Sequence, residues 1–256
     1  MIKKVLKNEE QIGEFVSDII EEEIKETNNK GEKYYLGLAT GSTPLPVYRE
    51  LIKRYENKKI DFFNVSTYNL DEYLGLDKEN EQSYNYYMHK NLFDHINLRE
   101  DEINLLDGKT EDPEKECRRL DDKIFETGID LQILGIGENG HIAFNEPNEE
   151  LELYTHIINL KEDTIKVNSR FFESEEEVPT KALTMGMKSI FKAKKIVLIA
   201  TGKKKAEAIK YLLKGDVITT KNPASLLLLH NDFTLVLDEE CYNEAYRILK
   251  EEDNVI

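Results

Sequence analysis

The chain has 256 residues, of which 39% are hydrophobic and 34% are charged. That length accommodates one large or two small domains with a substantial buried core. The formal net charge of −16 argues against nucleic acid and acidic membrane surfaces as partners, because both are polyanions. An acidic small molecule remains compatible with this charge, because a few local cations and backbone N–H groups are enough to bind one phosphate.

The sequence also predicts a cytoplasmic protein without a membrane anchor. It contains no run of about 18 or more apolar residues, and its first residues, MIKKVLKNEEQIGEF, lack the apolar core of a signal peptide. The two cysteines, Cys117 and Cys241, lie far apart in segments that are predicted to be helical. We interpret them as reduced thiols rather than as a disulfide or a pair of metal ligands.

Strand-like apolar runs alternate with amphipathic helical stretches along the whole chain. The predicted strands cover residues 34–39, 65–70, 102–106, 130–136, 154–160, 195–200 and 233–238. The predicted helices cover residues 8–29, 44–56, 82–93, 113–127, 181–192, 203–213 and 239–250. This alternation is typical of crossover units that place helices on both faces of a mostly parallel, twisted sheet. We therefore predict one three-layer α/β domain of the Rossmann-like type over residues 1–256, with its ligand beyond the carboxyl ends of the strands.

The first predicted strand of this pattern leads into a helix through a short polar loop. The loop residues are Thr40, Gly41, Ser42 and Thr43. Gly41 permits a close backbone approach, and a following helix that starts at Pro44 offers free N–H donors to an anion. A nucleotide P-loop pattern is absent. The residues alone leave two interpretations open, an anion-binding loop or a capping turn with Thr43 as the cap.

The next strand ends in acidic residues, Asp71 and Glu72, followed by Tyr73. A carboxylate at such a strand end acts as a general base if it is partly desolvated. The alternative is a solvated surface turn, which the local sequence by itself favours. No second carboxylate stands at a spacing typical of metal ligands, so we predict no metal site here.

A glycine-rich segment, ILGIGENGHIAFNEP, covers residues 133–147 and contains the G-x-G-x-x-G pattern of dinucleotide-binding folds. That function requires the glycines to run into a helix. The following HIAFNEP contains a β-branched residue, an Asn and Pro147, which do not start a helix. These residues therefore disfavour a nicotinamide site.

What remains is a tight turn that presents Asn139, His141 and Glu146. Histidine exchanges a proton near neutral pH, and a carboxylate that orients it makes it a better base. The alternative is a structural histidine that is hydrogen-bonded to backbone. A serine-based triad is disfavoured, because no G-x-S-x-G elbow occurs.

Cations stand at two further places in this acidic chain. Arg170 lies in the segment NSRFF, and Lys203, Lys204 and Lys205 follow a predicted strand at the start of a helix. Lysines there oppose the helix dipole, which indicates a nearby anion. The alternative is that these lysines are simply solvated.

Seven segments resemble those of glucosamine-6-phosphate deaminases in order and spacing. They are LGLATGSTPLPVY, NLDEYLGL, EQSYNYYMHKNLFDHI, LGIGENGHIAFNEP, NSRFF, VPTKALTMGM and TGKKKAEA. The resemblance covers roughly residues 1–250, and the combination of DEY with GHIAFNEP is highly specific.

The resemblance implies an enzyme of amino-sugar catabolism that opens glucosamine 6-phosphate, isomerises it and releases ammonia and fructose 6-phosphate. It implies no metal or organic cofactor, a phosphorylated amino sugar as substrate and a possible homo-oligomer. Asp71 resembles the base that moves a proton between C2 and C1, His141 the ring-opening catalyst and Glu146 its partner. The phosphate pocket implied by the family consists of Thr40, Gly41, Ser42, Thr43, Arg170 and Lys205. A helical lid over about residues 160–185 would carry Arg170.

The chain departs from the family at several positions. Asn139 stands where many members have Asp, so its catalytic role is limited to hydrogen bonding and orientation. Ser42 replaces a common glycine and adds a hydroxyl donor. Allosteric members carry basic residues shortly after NEP, where this chain has His156 and Ile158. We therefore expect weak or no activation by N-acetylglucosamine 6-phosphate, and the hexamer of those members is not implied.

Three alternatives remain. A 6-phosphogluconolactonase would share the glycine segment but not IAFNEP or DEYLGL. A galactosamine-6-phosphate deaminase differs only in the C4 hydroxyl that it recognises, and the sequence does not show which residue reads that hydroxyl. A non-catalytic sugar-phosphate sensor would need a further binding module and would be indicated by loss of Asp71 or His141, both of which are present.

Overall fold

The computed structural model describes residues 1–160 and 178–253. The strands are β1 (Ile2–Leu6), β2 (Tyr34–Leu38), β3 (Val65–Asn69), β4 (Asp71–Tyr73), β5 (Ile103–Asn104), β6 (Ile129–Leu134), β7 (His156–Asn159), β8 (Lys181–Thr184), β9 (Ala193–Ala200) and β10 (Phe233–Asp238). The helices are α1 (Glu9–Lys30), α2 (Leu45–Glu56), α3 (Tyr84–Asn91), α4 (Pro113–Thr127), α5 (Met187–Ile190), α6 (Ala206–Lys214) and α7 (Glu239–Asp253). Short 3₁₀ turns cover Phe93–His95, Glu100–Glu102, Lys203–Lys205 and Pro223–Leu229. Within the described ranges, no helix has both the length and the apolar character required to cross a bilayer.

Seven parallel strands form the central sheet in the order β1-β10-β9-β6-β2-β3-β5. Alternate residues of each strand supply two separate cores, as β9 illustrates. Ile196 and Leu198 pack with side chains of α4, α6 and α7, whereas Val197 and Ile199 pack with side chains of α1, α2 and α3. The predicted three-layer α/β architecture is therefore confirmed.

Local signals set several helix ends where the sequence predicts them. The Asn8 side chain accepts a hydrogen bond from Gln11 N and caps the start of α1, and Gly31, with a φ of 69°, caps its end. The Asp112 side chain caps α4, in which Pro113 is the first residue. These side chains satisfy N–H groups that a helix start leaves without partners.

A second, three-stranded sheet has the order β4-β8-β7 and is antiparallel. It corrects two expectations. Residues 154–160 do form a strand, but β7 belongs to this second sheet and not to the parallel one. The helix predicted over 181–192 is wrong, because its first part pairs with β4 and β7 as strand β8 and only Met187–Ile190 are helical.

Non-local packing explains this error. Gly186 is extended, and a Cβ there would lie 2.2 Å from the carbonyl oxygen of Tyr154. The extended backbone of Gly186 interrupts any continuous helix at this point, and the neighbouring backbone of Tyr154 leaves no room for a side chain there. The predicted helical lid is therefore wrong over residues 181–185, and residues 161–177, including Arg170, lie outside the described residues.

The order of the parallel strands reverses between β2 and β6. From β2 the chain proceeds to β3 and β5 on one side, whereas β6, β9 and β10 lie on the other. β2 and β3 end together, with Leu38 opposite Asn69. The loops that follow β9, β6, β2 and β3 are consequently neighbours along one edge, where ligands of open α/β sheets bind.

Candidate active site

Asp71 begins β4 directly beyond the carboxyl end of β3. It is only 7% exposed, and no donor in the described part of the chain hydrogen-bonds its carboxylate. Burial, together with the neighbouring charge of Glu72, raises the pKa of Asp71 to about 8. The alternative of a solvated turn is therefore wrong. A buried carboxylate with a pKa close to neutrality fits the role of a general base.

Glu72 is also buried, but its carboxylate is fully engaged. It accepts backbone N–H bonds from Tyr73, Tyr84 and Asn85 at 2.8, 2.9 and 2.9 Å. Burial raises its pKa to about 7, although these N–H donors oppose the shift. Tyr84 and Asn85 open α3, so Glu72 attaches the start of this helix to the strand that carries Asp71. Sequence reasoning assigned Glu72 no such role.

The glycine segment forms a tight turn that seats the imidazole of His141. Gly137 N donates to His141 O at 3.0 Å, and a Cβ on Gly137 would lie 2.4 Å from His141 Cε1. Gly140 has a φ of +87° and abuts the Asn222 side chain. The glycines therefore serve a close turn, and an isolated bridge between Ile142 and Asn145 follows them instead of a helix.

Asn139, His141 and Glu146 form one cluster. His141 Nδ1 lies 3.0 Å from Glu146 Oε1, although this nitrogen has no aligned hydrogen bond within the described residues. Asn139 Nδ2 donates to the other Glu146 oxygen at 2.7 Å, and Asn139 Oδ1 accepts from His141 N at 3.1 Å. The imidazole is 31% exposed, whereas the Glu146 side chain is 9% exposed. A buried carboxylate thus faces an accessible ring, which is the arrangement of an oriented proton carrier.

Strand β8 attaches this cluster to the Asp71 strand. Asp71 stands opposite Thr184 in the antiparallel pair. Thr184 Oγ1 accepts from Phe144 N at 3.1 Å, and Met185 O accepts from Asn145 Nδ2 at 2.8 Å. Thr184, the last residue of β8, and Met185, which follows it, therefore join the strand of Asp71 to the loop of His141.

Three aromatic rings pack beside this junction. The Tyr73 ring centroid lies 4.9 Å from that of Tyr84 and 6.0 Å from that of Phe144, and Tyr84 stacks on Phe144 at 6.2 Å. Tyr73 is two residues after Asp71, and Phe144 is three after His141. This cluster excludes water from one side of the junction. In the sequence, only the DEY motif indicated this aromatic cluster.

The polar loop after β2 lies between the loops that carry Asp71 and His141. Gly41 has a φ of +90°, and α2 starts at Leu45, one residue later than predicted, so Pro44 occupies the cap position without a side-chain cap bond. The interpretation of Thr43 as a cap is therefore wrong. A Cβ on Gly135 would lie 3.9 Å from Thr43 Cβ, which places the loop against the end of β6.

The backbone donors of this loop are unused by the protein. Over the residues that the structure describes, the N–H groups of Gly41, Ser42 and Thr43 donate to no protein acceptor. Gly41 and Ser42 are exposed, and Thr40 and Thr43 are half-buried. Consecutive free N–H groups form a concave donor surface suited to an anion.

Of the three lysines after β9, two have acidic neighbours. Lys203 lies 3.8 Å from Glu240 and Lys204 lies 3.9 Å from Glu138, and both lysines are largely exposed. Lys205 is half-buried, and burial lowers its pKa. No carboxylate of the described residues lies within ion-pair distance of Lys205. A partly desolvated, unpaired ammonium favours an anionic ligand.

A surface groove of about 580 Å³ lies elsewhere, between α4 and β7. Its buried acid, Asp121, is fully engaged by Thr155 and Ser189, whose hydroxyls donate to Asp121 at 2.6 Å each. The side chain of Asp121 therefore fixes β7 and α5 to α4. The groove contains neither the histidine cluster nor Asp71, and we assign the chemistry to the strand ends.

The chain matches the family model of glucosamine-6-phosphate isomerases/6-phosphogluconolactonase over residues 7–236, and it belongs to this family. It is 51% identical over 247 residues to a glucosamine-6-phosphate deaminase of Thermoanaerobacter sp. strain X514, covering 96% of this chain and 94% of the relative. It is 50% identical over 231 residues to a glucosamine-6-phosphate deaminase of Clostridium acetobutylicum, covering 90% of this chain and 94% of the relative.

Solved structures agree with this assignment at the level of the fold. A monomeric glucosamine-6-phosphate deaminase is 40% identical with a TM-score of 0.89, covering 95% of this chain and 100% of that chain. A 6-phosphogluconolactonase from Thermotoga maritima is 19% identical with a TM-score of 0.71, covering 93% of this chain and 98% of that chain. At that identity, the second likeness shows the fold alone.

Proposed function

We propose that this chain is a glucosamine-6-phosphate deaminase. It converts glucosamine 6-phosphate and water into fructose 6-phosphate and ammonia. The observation that carries this proposal is the attachment of buried Asp71 and the His141–Glu146 pair to the same residues of β8 and its end. A carboxylate base and an accessible imidazole beside an anion-binding loop meet the requirements of aldose–ketose chemistry on a sugar phosphate.

Ring opening falls to His141, whose ring is the exposed member of its cluster. The imidazole exchanges a proton with the ring oxygen of the sugar. Glu146, 3.0 Å from Nδ1, stabilises the positive ring that forms when His141 takes up a proton. Asn139 holds Glu146 through its amide and cannot itself act as a base, so its role is orientation.

Isomerisation falls to Asp71. Its carboxylate takes the proton from C2 of the open chain and delivers it to C1, which turns the amine at C2 into an imine. Water then adds to the imine carbon, and ammonia leaves as the ketone of fructose 6-phosphate forms. A carboxylate that is poorly solvated takes up a proton more readily than one in water.

The phosphate is held by the loop after β2 and by Lys205. The N–H groups of that loop, which have no protein acceptor among the described residues, supply fixed donors, and Lys205 supplies a charge that no described carboxylate pairs. Arg170, on the segment between β7 and β8, is a further phosphate ligand in this proposal, and that segment acts as a lid. The free energy of phosphate binding is used to position C1 and C2 of the sugar against Asp71. A cytoplasmic location, a single domain and the absence of a metal requirement belong to the same proposal.

Ammonia release from glucosamine 6-phosphate tests the proposal. The purified protein is incubated with the sugar in the presence of a chelator and without nucleotide, and ammonia and fructose 6-phosphate are measured in equal amounts. Parallel assays use galactosamine 6-phosphate and 6-phosphogluconolactone. The proposal is overturned if no ammonia appears, or if either alternative substrate has the higher kcat/KM.

A further inference from the structure

Two tyrosines from different helices hold the backbone of the polar loop after β2. Tyr87 on α3 donates its hydroxyl to Gly41 O at 2.6 Å. Tyr48 on α2 is fully buried and donates its hydroxyl to Ala39 O. The carbonyl groups of residues 39 and 41 are therefore directed towards the helices.

The hydrogen bond from Tyr87 to Gly41 O also orients the N–H group of the next residue, Ser42. The chain has no cis peptide bonds in its described part, and in a trans peptide the C=O of one residue and the N–H of the next point in opposite directions. Because Tyr87 binds Gly41 O, the N–H of Ser42 points away from α3. On Gly41 itself, a Cβ would meet nothing within 4 Å, so one side of the loop is open.

Gly41 makes such an orientation easy to lose. A glycine with a φ of +90° has access to many backbone conformations, so the Gly41–Ser42 peptide plane is free to rotate unless a contact fixes it. Tyr87 is half-buried, and its burial raises the pKa of the phenol, which keeps the hydroxyl protonated and able to donate at neutral pH.

We propose that Tyr87 is a positioning residue of the phosphate loop, whose hydroxyl holds the Gly41–Ser42 peptide with the Ser42 N–H facing the substrate phosphate. This inference rests on the proposed function, because it takes the loop to be the phosphate site. Helix α3 itself is anchored at its start by Glu72, which accepts from Tyr84 N and Asn85 N. One helix thus links the strand that carries Asp71 to the loop that holds the phosphate.

The test removes one hydroxyl with Tyr87→Phe and keeps the ring in its packing. The matched control is Tyr86→Phe, the same change on the adjacent residue of α3, where the hydroxyl has no hydrogen-bond partner among the described residues. We expect the KM for glucosamine 6-phosphate to rise about 3–10-fold in Tyr87→Phe, the usual consequence of losing one neutral hydrogen bond, with kcat within about twofold. Tyr86→Phe should leave both constants unchanged.

Binding measurements separate this inference from the proposed function. The dissociation constants of fructose 6-phosphate and of inorganic phosphate are measured by calorimetry on the same proteins, together with their thermal midpoints. We expect both constants to rise in Tyr87→Phe, with thermal midpoints of the two variants close to that of the unmodified protein. Equal phosphate binding by the two variants, or a loss confined to kcat, overturns the inference, whereas a lack of ammonia release by the unmodified protein overturns only the function.

Discussion

At the scale of single residues, the adjacent acids Asp71 and Glu72 illustrate how environment separates two identical functional groups. Both are buried and both have raised pKa values, of about 8 and about 7. The carboxylate oxygens of Glu72 accept hydrogen bonds from three backbone N–H groups, whereas the Asp71 carboxylate has no such donors among the described residues. Glu72 is therefore a structural anchor, whereas the Asp71 carboxylate is available to a substrate.

Asp71→Asn should reduce kcat roughly 10²–10⁴-fold, the usual range for loss of a general base. The amide keeps the size of the side chain but cannot accept the C2 proton. Binding should persist, which is measured as the dissociation constant of fructose 6-phosphate. Near-normal turnover of the variant would remove Asp71 from the mechanism.

Under the proposed function, Lys205→Ala should chiefly weaken affinity for the phosphorylated sugar, because the ammonium is proposed to contact the phosphate and not the reacting carbons. We expect a KM about tenfold or more above that of the unmodified protein, the effect of losing a hydrogen bond to a charged group. Lys204→Ala, which removes an exposed lysine from the same turn, is the control. Steady-state kinetics with equal KM values for the two variants would reject this role.

At the scale of secondary-structure elements, β8 and α3 organise the site without supplying its reactive groups. β8 pairs with β4 and accepts hydrogen bonds from the histidine loop, and α3 lies between Glu72 and the phosphate loop. Each of these hydrogen bonds joins a side chain to a backbone group. Substitutions that loosen these contacts should therefore affect the geometry of several site residues together.

Glu72→Gln should lower the free energy of unfolding by about 1–3 kcal/mol at pH 8, because the Gln side chain keeps only one of the two oxygens that accept the three backbone N–H bonds. The side-chain NH₂ group of the introduced Gln would face backbone N–H donors that it cannot accept from. Glu81→Gln, an exposed change in the same connection, should have almost no effect. Denaturant unfolding measures both, and equal midpoints would show that Glu72 does not anchor α3.

At the scale of the whole molecule, two buried acids make folding depend on pH in a direction opposite to that of paired surface carboxylates. Unfolded Asp and Glu have pKa values near 3.9 and 4.3, below the folded values of about 8 and about 7. Between about pH 4 and pH 8, these two groups therefore hold more protons in the folded protein than in the unfolded chain. These two groups make the free energy of unfolding fall as the pH rises through that window.

Comparison with Asp71→Asn isolates this contribution, since other carboxylates have lowered pKa values. Between pH 6 and pH 9, the variant should lose less stability than the unmodified protein, by at least about 1 kcal/mol, since one pKa unit corresponds to about 1.4 kcal/mol. Urea unfolding at the two pH values measures it. Parallel pH dependences would show that the Asp71 carboxyl is not desolvated.

Much of the fold followed from local patterns. Buried strands such as β6 and β10 are apolar runs in the sequence. Helix α4 begins where the sequence predicts it, with Asp112 as its cap and Pro113 as its first residue. The residues after Gly140 predicted that no helix follows the glycine segment, and the bridge between Ile142 and Asn145 lies there instead. Such features depend on neighbours along the chain, so one sequence contains the information that determines them.

Only the tertiary structure decided which residues meet. Three contacts join residues that are distant along the chain. Asp71 of β4 and Thr184 of β8 are 113 positions apart, Glu72 and Tyr84 of α3 are 12 apart, and Tyr87 and Gly41 are 46 apart. The periodicity of 181–192 suggested a helix, yet strand pairing and the contact of Gly186 with Tyr154 overrode it. The sequence by itself determined the layers and the chemical groups at the strand ends, because apolar spacing and chain punctuation are local. Burial and hydrogen bonding between distant segments decided that Glu72 is held by three backbone N–H groups, whereas Asp71 has no such donor among the described residues.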